Sequence, residues 1–190
     1  FVVVVGLGMA FIKDRPEEMG CYPDNDPAYV RPEVVEKTTS YKLSSYLKQG
    51  KFWLLVLGYG LSFFAMMALI STGTQIMDEM GITGGMSIGV IVIGSVFGIV
   101  GSIVLGYLDQ IKGPKPASIL TAALMVVGAL MIGVAVQNGQ VALVIIGTFL
   151  FYFAMGAVAN LAFSMAITVY GPEEFNSMNT LFAPFLVAIR

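Results

Sequence analysis

Arg190 is the one basic residue of the sequence embedded in an apolar run, following Leu181-Phe182-Ala183-Pro184-Phe185-Leu186-Val187-Ala188-Ile189. A helix starting near Ser177 and rising about 1.5 Å per residue places it roughly 20 Å along, near the middle of a hydrocarbon layer about 30 Å thick. A guanidinium at that depth costs about 2.5 to 3.5 kcal/mol on insertion scales, and such residues are kept for function. The competing reading is a side chain that snorkels toward the interface beyond Pro184.

Two further patterns carry chemistry of a weaker kind. Thr148, Tyr152, Gly156, Asn160 and Ser164 recur every four residues, which draws a slowly turning polar stripe along one helix face. Lipid is a poor neighbour for that stripe, so it faces the interior of a bundle, where Asn160 meets either a ligand or a neighbouring helix. Gly89, Gly94, Ser95, Gly98, Gly101, Ser102 and Gly106 lie in one apolar run and include the Gly94-x-x-x-Gly98 spacing. Small residues at this spacing let two helix backbones approach closely in a bilayer. Both a sliding contact and a static packing seam fit.

Much chemistry is excluded. There is no histidine and one cysteine, Cys21, so the sets that build zinc sites or an intrachain disulfide are missing and no metal or cofactor is expected. No nucleophile and base can be assembled from the apolar segments, which contain no Asp or Glu, and an enzyme is not expected. Asp78 and Glu79 stand at a helix end as solvated charges or an outer gate. Gly6-x-Gly8 and Gly58-x-Gly60 follow no strand and are not nucleotide loops. Ten basic against twelve acidic residues, with no basic patch among aromatics, argue against nucleic acid as a partner.

The elements that must position these residues are membrane helices. Of the 190 residues 57% are hydrophobic and only 12% charged, whereas charges make up about a quarter of an ordinary soluble domain. Four uncharged segments reach the roughly 20 residues a bilayer requires: 52–76, 86–108, 116–136 and 141–169. Residues 1–12 read as the end of an earlier helix and 178–190 as a truncated later one, so the sequence reads as a fragment. The connections 77–85, 109–115, 137–140 and 170–177 are short and force antiparallel neighbours. The long polar segment 13–51 contains Pro16, Pro23, Pro27 and Pro32, then a short interfacial helix within 40–49 with Leu43 and Leu47 one turn apart. Its basic residues, with Lys112 and Lys115, fall on connections of one parity, which makes segment 13–51 and the 109–115 connection cytoplasmic. Trp53 and Tyr107 then lie at the headgroup level.

Two local patterns resemble the major facilitator superfamily. Gly106-Tyr107-Leu108-Asp109-Gln110-Ile111-Lys112-Gly113-Pro114-Lys115 is similar to the G-x-L-x-D-x-x-G-x-[RK] signature between its helices 2 and 3, repeated more weakly between helices 8 and 9. Here Asp109 lies one residue further from the next glycine, and Gln110 replaces the usual Arg. Phe11-Ile12-Lys13-Asp14-Arg15-Pro16-Glu17-Glu18-Met19-Gly20-Cys21-Tyr22-Pro23-Asp24 resembles the segment after helix 6 in oxalate/formate-antiporter-like and monocarboxylate-transporter-like members, and Lys51-Phe52-Trp53-Leu54-Leu55 resembles the start of their helix 7.

The resemblance implies an all-α membrane protein holding part of the C-terminal six-helix half: the end of helix 6, helices 7 to 10 and the start of helix 11. It implies a multi-pass carrier in the plasma membrane that moves a small carboxylate by alternating access, partnered by the rest of its own polypeptide and the lipid bilayer. Arg190 would pair with the carboxylate, Tyr152 and Asn160 would contact the substrate, and Gly106, Asp109, Gly113 and Lys115 would form a cytoplasmic gating motif. The segment 86–108 lacks the Arg that oxalate carriers use on helix 8. A carrier for a sugar or drug, and a membrane sensor or assembly subunit in which Asn and Gly only pack helices, are the alternatives.

Overall fold

The computed structural model describes residues 43–189, which form six helices: α1 Leu43–Leu47, α2 Gly50–Glu79, α3 Gly85–Lys112, α4 Pro114–Asn138, α5 Val141–Tyr170 and α6 Pro172–Ile189. The expected helix end at 1–12, most of segment 13–51 and Arg190 lie outside the described residues. Helices α2 to α5 are each long and apolar enough to cross a membrane. Large apolar side chains on α2 and α3, among them Leu54, Leu61, Ile99 and Ile103, remain exposed, as expected of a surface whose solvent is hydrocarbon.

Helix α5 is the hub. It packs against α3 and α4 over most of its length and also touches α2 and α6. Its buried residues, from Val144 through Phe151, Ala157 and Leu161 to Tyr170, accordingly lie on several faces of the helix. The order of contacts confirms the alternation of direction. Val90, Phe97 and Leu105 of α3 meet Ile145, Phe149 and Ala157–Leu161 of α5 in ascending order, so these two run parallel. Ala117 and Met125 of α4 meet the same helix in descending order.

The turns are built from glycine and sort by membrane side. At one end, Gly81 and Gly139 adopt φ values of 78° and 66°. Ile82 N–H donates to the Met77 carbonyl at 2.8 Å and Gln140 N–H to that of Ala135 at 2.9 Å, the six-to-one bond of a Schellman stop. Buried Met77 and Ile82 supply the apolar contact that accompanies the first of these. At the other end, Gly113 and Gly171, with φ of 85° and 80°, each form a one-residue connection followed by proline. Proline at the first helical position loses no needed donor, so a new helix starts at once.

This compresses the connections read from sequence. Helix α3 continues to Lys112, and α6 starts at Pro172 rather than near Ser177, so it runs about 26 Å to Ile189 instead of roughly 20 Å, with Glu173 and Glu174 in its first turn where the helix dipole favours acids. Helix α1 lies within the segment 40–49. It buries Tyr46, not Leu43 and Leu47, which stay 45% and 38% exposed. The Tyr46 ring meets Tyr170 edge-on at 5.5 Å, and the Trp53 indole N–H donates to the Leu47 carbonyl at 2.9 Å, tying α1 to the start of α2.

Candidate functional site

The α3–α5 seam is a contact of backbone on backbone. A Cβ at Gly101 would fall within the Phe153 carbonyl, and one at Gly156 within that of Gly98. At Gly98 it would lie 3.2 Å from the Tyr152 carbonyl oxygen, and at Gly94 3.2 Å from the Tyr152 ring. Gly94 and Gly98 therefore face α5 within the bundle. Gly89 and Gly106, of the same small-residue run, face open space. Phe97 and Phe149 stack beside the seam at 4.9 Å. A second glycine crossing joins α4 to α5, where Gly128 and Gly147 each approach the other's carbonyl.

Tyr152 is buried, its ring laid over Gly94. Asn160, two turns further along α5, is exposed, and its amide donates to Ser102 Oγ of α3 at 3.2 Å. The polar stripe divides as it climbs: Thr148 turns its hydroxyl back on the Val144 carbonyl at 2.8 Å, while Asn160 reaches across to a neighbouring helix. Gly106 and Asp109 are on the last turns of α3, Gly113 forms the turn by donating its N–H to the Asp109 carbonyl at 2.8 Å, and Lys115 opens α4. Among the described residues the Asp109 carboxylate makes no hydrogen bond or ion pair.

Tyr59 was not singled out by sequence, yet it joins three helices. Its hydroxyl lies 2.5 Å from Ser118 Oγ of α4 and 3.0 Å from the Leu161 carbonyl of α5. Ser118 commits its own proton to the Pro114 carbonyl at 2.6 Å, so the Tyr59 proton serves the other two acceptors. Its ring packs against three of the apolar clusters. The only available signal was a tyrosine between Gly58 and Gly60 in an uncharged run.

Lysines gather at the end of the bundle that carries the Gly-Pro turns. Lys51 and Lys115 line one groove of about 440 Å³ between α2, α4 and α5. The Lys51 ammonium also lies 4.1 Å above the Tyr170 ring. Among the described residues, no group of His, Cys, Asp and Glu is arranged to hold a metal ion.

The described residues thus form a bundle of membrane-long helices that meet at glycine seams, with charge confined to the helix ends. The family model of the Major Facilitator Superfamily matches residues 1–189. The chain belongs to that superfamily. No curated protein and no solved structure shows significant similarity to it. As a major facilitator chain with four membrane-long helices, it is a multi-pass membrane protein that transports small solutes.

Proposed function

We propose that this major facilitator chain carries a small carboxylate across the plasma membrane by alternating access, with α2 to α5 as helices 7 to 10 of the superfamily plan and α6 as the start of helix 11. The carboxylate reading rests on Arg190. The interiors of all the described helices are free of charge, and the run from Phe175 to Ile189 is uncharged until Arg190 closes it. Ile189, its neighbour, packs onto Gly60 of α2, so this part of α6 belongs to a helix seam.

Arg190 supplies the positive charge that selects an anion. Asn160 keeps one amide N–H and its carbonyl for a polar ligand once the other N–H is held by Ser102. Tyr152 is the second polar contact, its ring fixed by Gly94. Binding and release involve no covalent step, and helix rocking around a midplane site supplies the cycle. The lysine-bearing connections face the cytoplasm, where Gly106, Asp109, Gly113 and Lys115 shape the inner gate.

The test is uptake by the intact protein in liposomes. Arg190→Gln abolishes uptake of the carboxylate while expression and folding persist, and Arg190→Lys restores part of it. Uptake by Arg190→Gln at the parental rate removes Arg190 from the site.

A further inference from the structure

The groove at the lysine-bearing end is separate from the residues assigned to solute. Its walls are mostly carbon, with Leu54, Leu55, Ile119, Ala122 and Met165 among the lining residues. The hydroxyls along it are already engaged. Ser62 donates to the Gly58 carbonyl at 3.0 Å, and Tyr59 and Ser118 satisfy each other and two carbonyls. Lys51 and Lys115 border this apolar surface, and among the described residues neither is ion-paired with a carboxylate. The only partner of Lys51 there is the face of Tyr170.

This combination selects a type of ligand. A small hydrated anion would surrender water to a carbon wall and gain two charges in return, with no hydrogen-bond donor deeper in the groove. A neutral hydrocarbon would leave both ammoniums unused. A molecule with an anionic head and an aliphatic tail uses both parts, and basic pockets between membrane helices bind phospholipid headgroups in this way. Lys115 also stands in the first turn of α4, where the helix dipole adds to its attraction for phosphate.

We propose that the groove between α2, α4 and α5 binds an anionic phospholipid, its phosphate held between Lys51 and Lys115 and an acyl chain lying over Leu54, Gly58 and Ile119. Each lysine near the phosphate contributes enough that the pair favours an anionic over a zwitterionic headgroup by roughly 30-fold. Gly58 offers a second handle, since a Cβ built there meets nothing within 4 Å. A leucine at this position fills the groove, keeps both lysines and improves helix propensity.

The experiment uses the intact protein in a cysteine-free background, with a cysteine at Ala122 carrying a bimane fluorophore, in phosphatidylcholine vesicles. Quenching is titrated with doxyl-labelled phosphatidylglycerol and, separately, doxyl-labelled phosphatidylcholine. The expected result is saturable quenching with a roughly 30-fold preference for phosphatidylglycerol. Lys51→Gln with Lys115→Gln brings that preference close to one, and Gly58→Leu removes saturable quenching by both lipids. Equal quenching by the two lipids in the unsubstituted protein, a preference that survives the double lysine change, or saturable quenching that survives Gly58→Leu each overturns the proposal. Absence of quenching by either lipid means protein covers the groove, and overturns it too. Lipid occupancy is read without any solute, so this result and the Arg190 result stand or fall separately.

Discussion

Replacing Gly101 by alanine adds one methyl group where the neighbouring helix already lies. A Cβ built there overlaps the Phe153 carbonyl oxygen, and sits 2.6 Å from the carbonyl carbon and 3.0 Å from the Cα. Carbon contacts are optimal at about 3.5 to 4.0 Å. Because the obstructing atoms are backbone, no rotamer change relieves the overlap, and α3 must move from α5 by about 1 Å. A gap of that size forfeits a quarter to a half of the dispersion energy of the contacts it opens, besides weak Cα–H···O contacts at about 0.5 to 1 kcal/mol each. Overpacking of this kind costs about 1 to 3 kcal/mol, against which alanine recovers up to about 1 kcal/mol of helix propensity. The expected net loss is up to about 2 kcal/mol. Gly106→Ala is the control on the same helix: its Cβ meets nothing, so only the propensity gain remains. Unfolding of the intact protein in mixed SDS micelles, followed by circular dichroism, should show Gly101→Ala and Gly156→Ala destabilised and Gly106→Ala unchanged or stabilised. The double change Gly101→Ala with Gly156→Ala should cost less than the sum of its parts, because one separation relieves both overlaps. Gly101→Ala unfolding together with Gly106→Ala, or costs that add fully, would refute a backbone seam.

Other outcomes follow from single contacts. Tyr59→Phe removes the hydroxyl shared by α2, α4 and α5 and should lower stability by about 0.6 kcal/mol, the membrane average for one interhelical hydrogen bond, in the same unfolding assay; a loss no greater than for an exposed control position would deny the bridge. Asn160→Ala should raise KM for the transported carboxylate more than Ser102→Ala does, since Ser102 only orients the amide; equal effects on KM would leave Asn160 a packing residue. Trp53→Phe loses the bond to the Leu47 carbonyl and should increase proteolytic cutting or hydrogen exchange across Leu43–Leu47 without altering α2; unchanged protection would mean that Tyr46 alone holds α1.

The centres of the four long helices were legible because nothing except a helix satisfies 20 or more uncharged residues in hydrocarbon. Their ends were not, although the signals were present. Gly113-Pro114 and Gly171-Pro172 each pair a residue suited to positive φ with one suited to open a helix, and each reverses the chain in a single residue. Reading Asp109 to Lys115 and Tyr170 to Ser177 as loops missed that economy, and with it the acidic first turn of α6. The small-residue run on α3 was visible, but not which of its glycines face a partner. Gly94, Gly98 and Gly101 do and Gly89 and Gly106 do not, because helical phase relative to α5 is a tertiary fact. The same limit hid the Ser102 partner of Asn160 and both partners of Tyr59. In α1, leucine spacing marked an interfacial face of Leu43 and Leu47, which both stay exposed. Burial went to Tyr46, whose ring reaches Tyr170 across the gap between helices.

The two kinds of seam have different mechanical consequences for a carrier. Helix α5 meets α3 and α4 at glycine crossings where backbone touches backbone, flanked by side-chain contacts such as Phe97 on Phe149. Backbone contact at these crossings leaves little room for rotamer exchange, and α3, α4 and α5 are expected to move as one body. The contact of α2 with α6 is made instead by long side chains, with Ile189 over Gly60 and Phe185 edge-on to both Phe52 and Trp53 at 5.9 and 5.3 Å. Aromatic and aliphatic side chains can exchange rotamers while keeping most of their contact area. Pro184 also removes one backbone hydrogen bond from the middle of α6, where bending is least costly. Any change in shape within this part of the transporter is therefore expected to concentrate on α2 and on α6, the helix whose sequence runs on into the arginine proposed to hold the solute. Spin labels at exposed positions of α3 and α4 should keep one fixed distance through the transport cycle, while a label on α6 changes its distance to both. A change confined to the α3–α4 pair would show that the glycine seams slide.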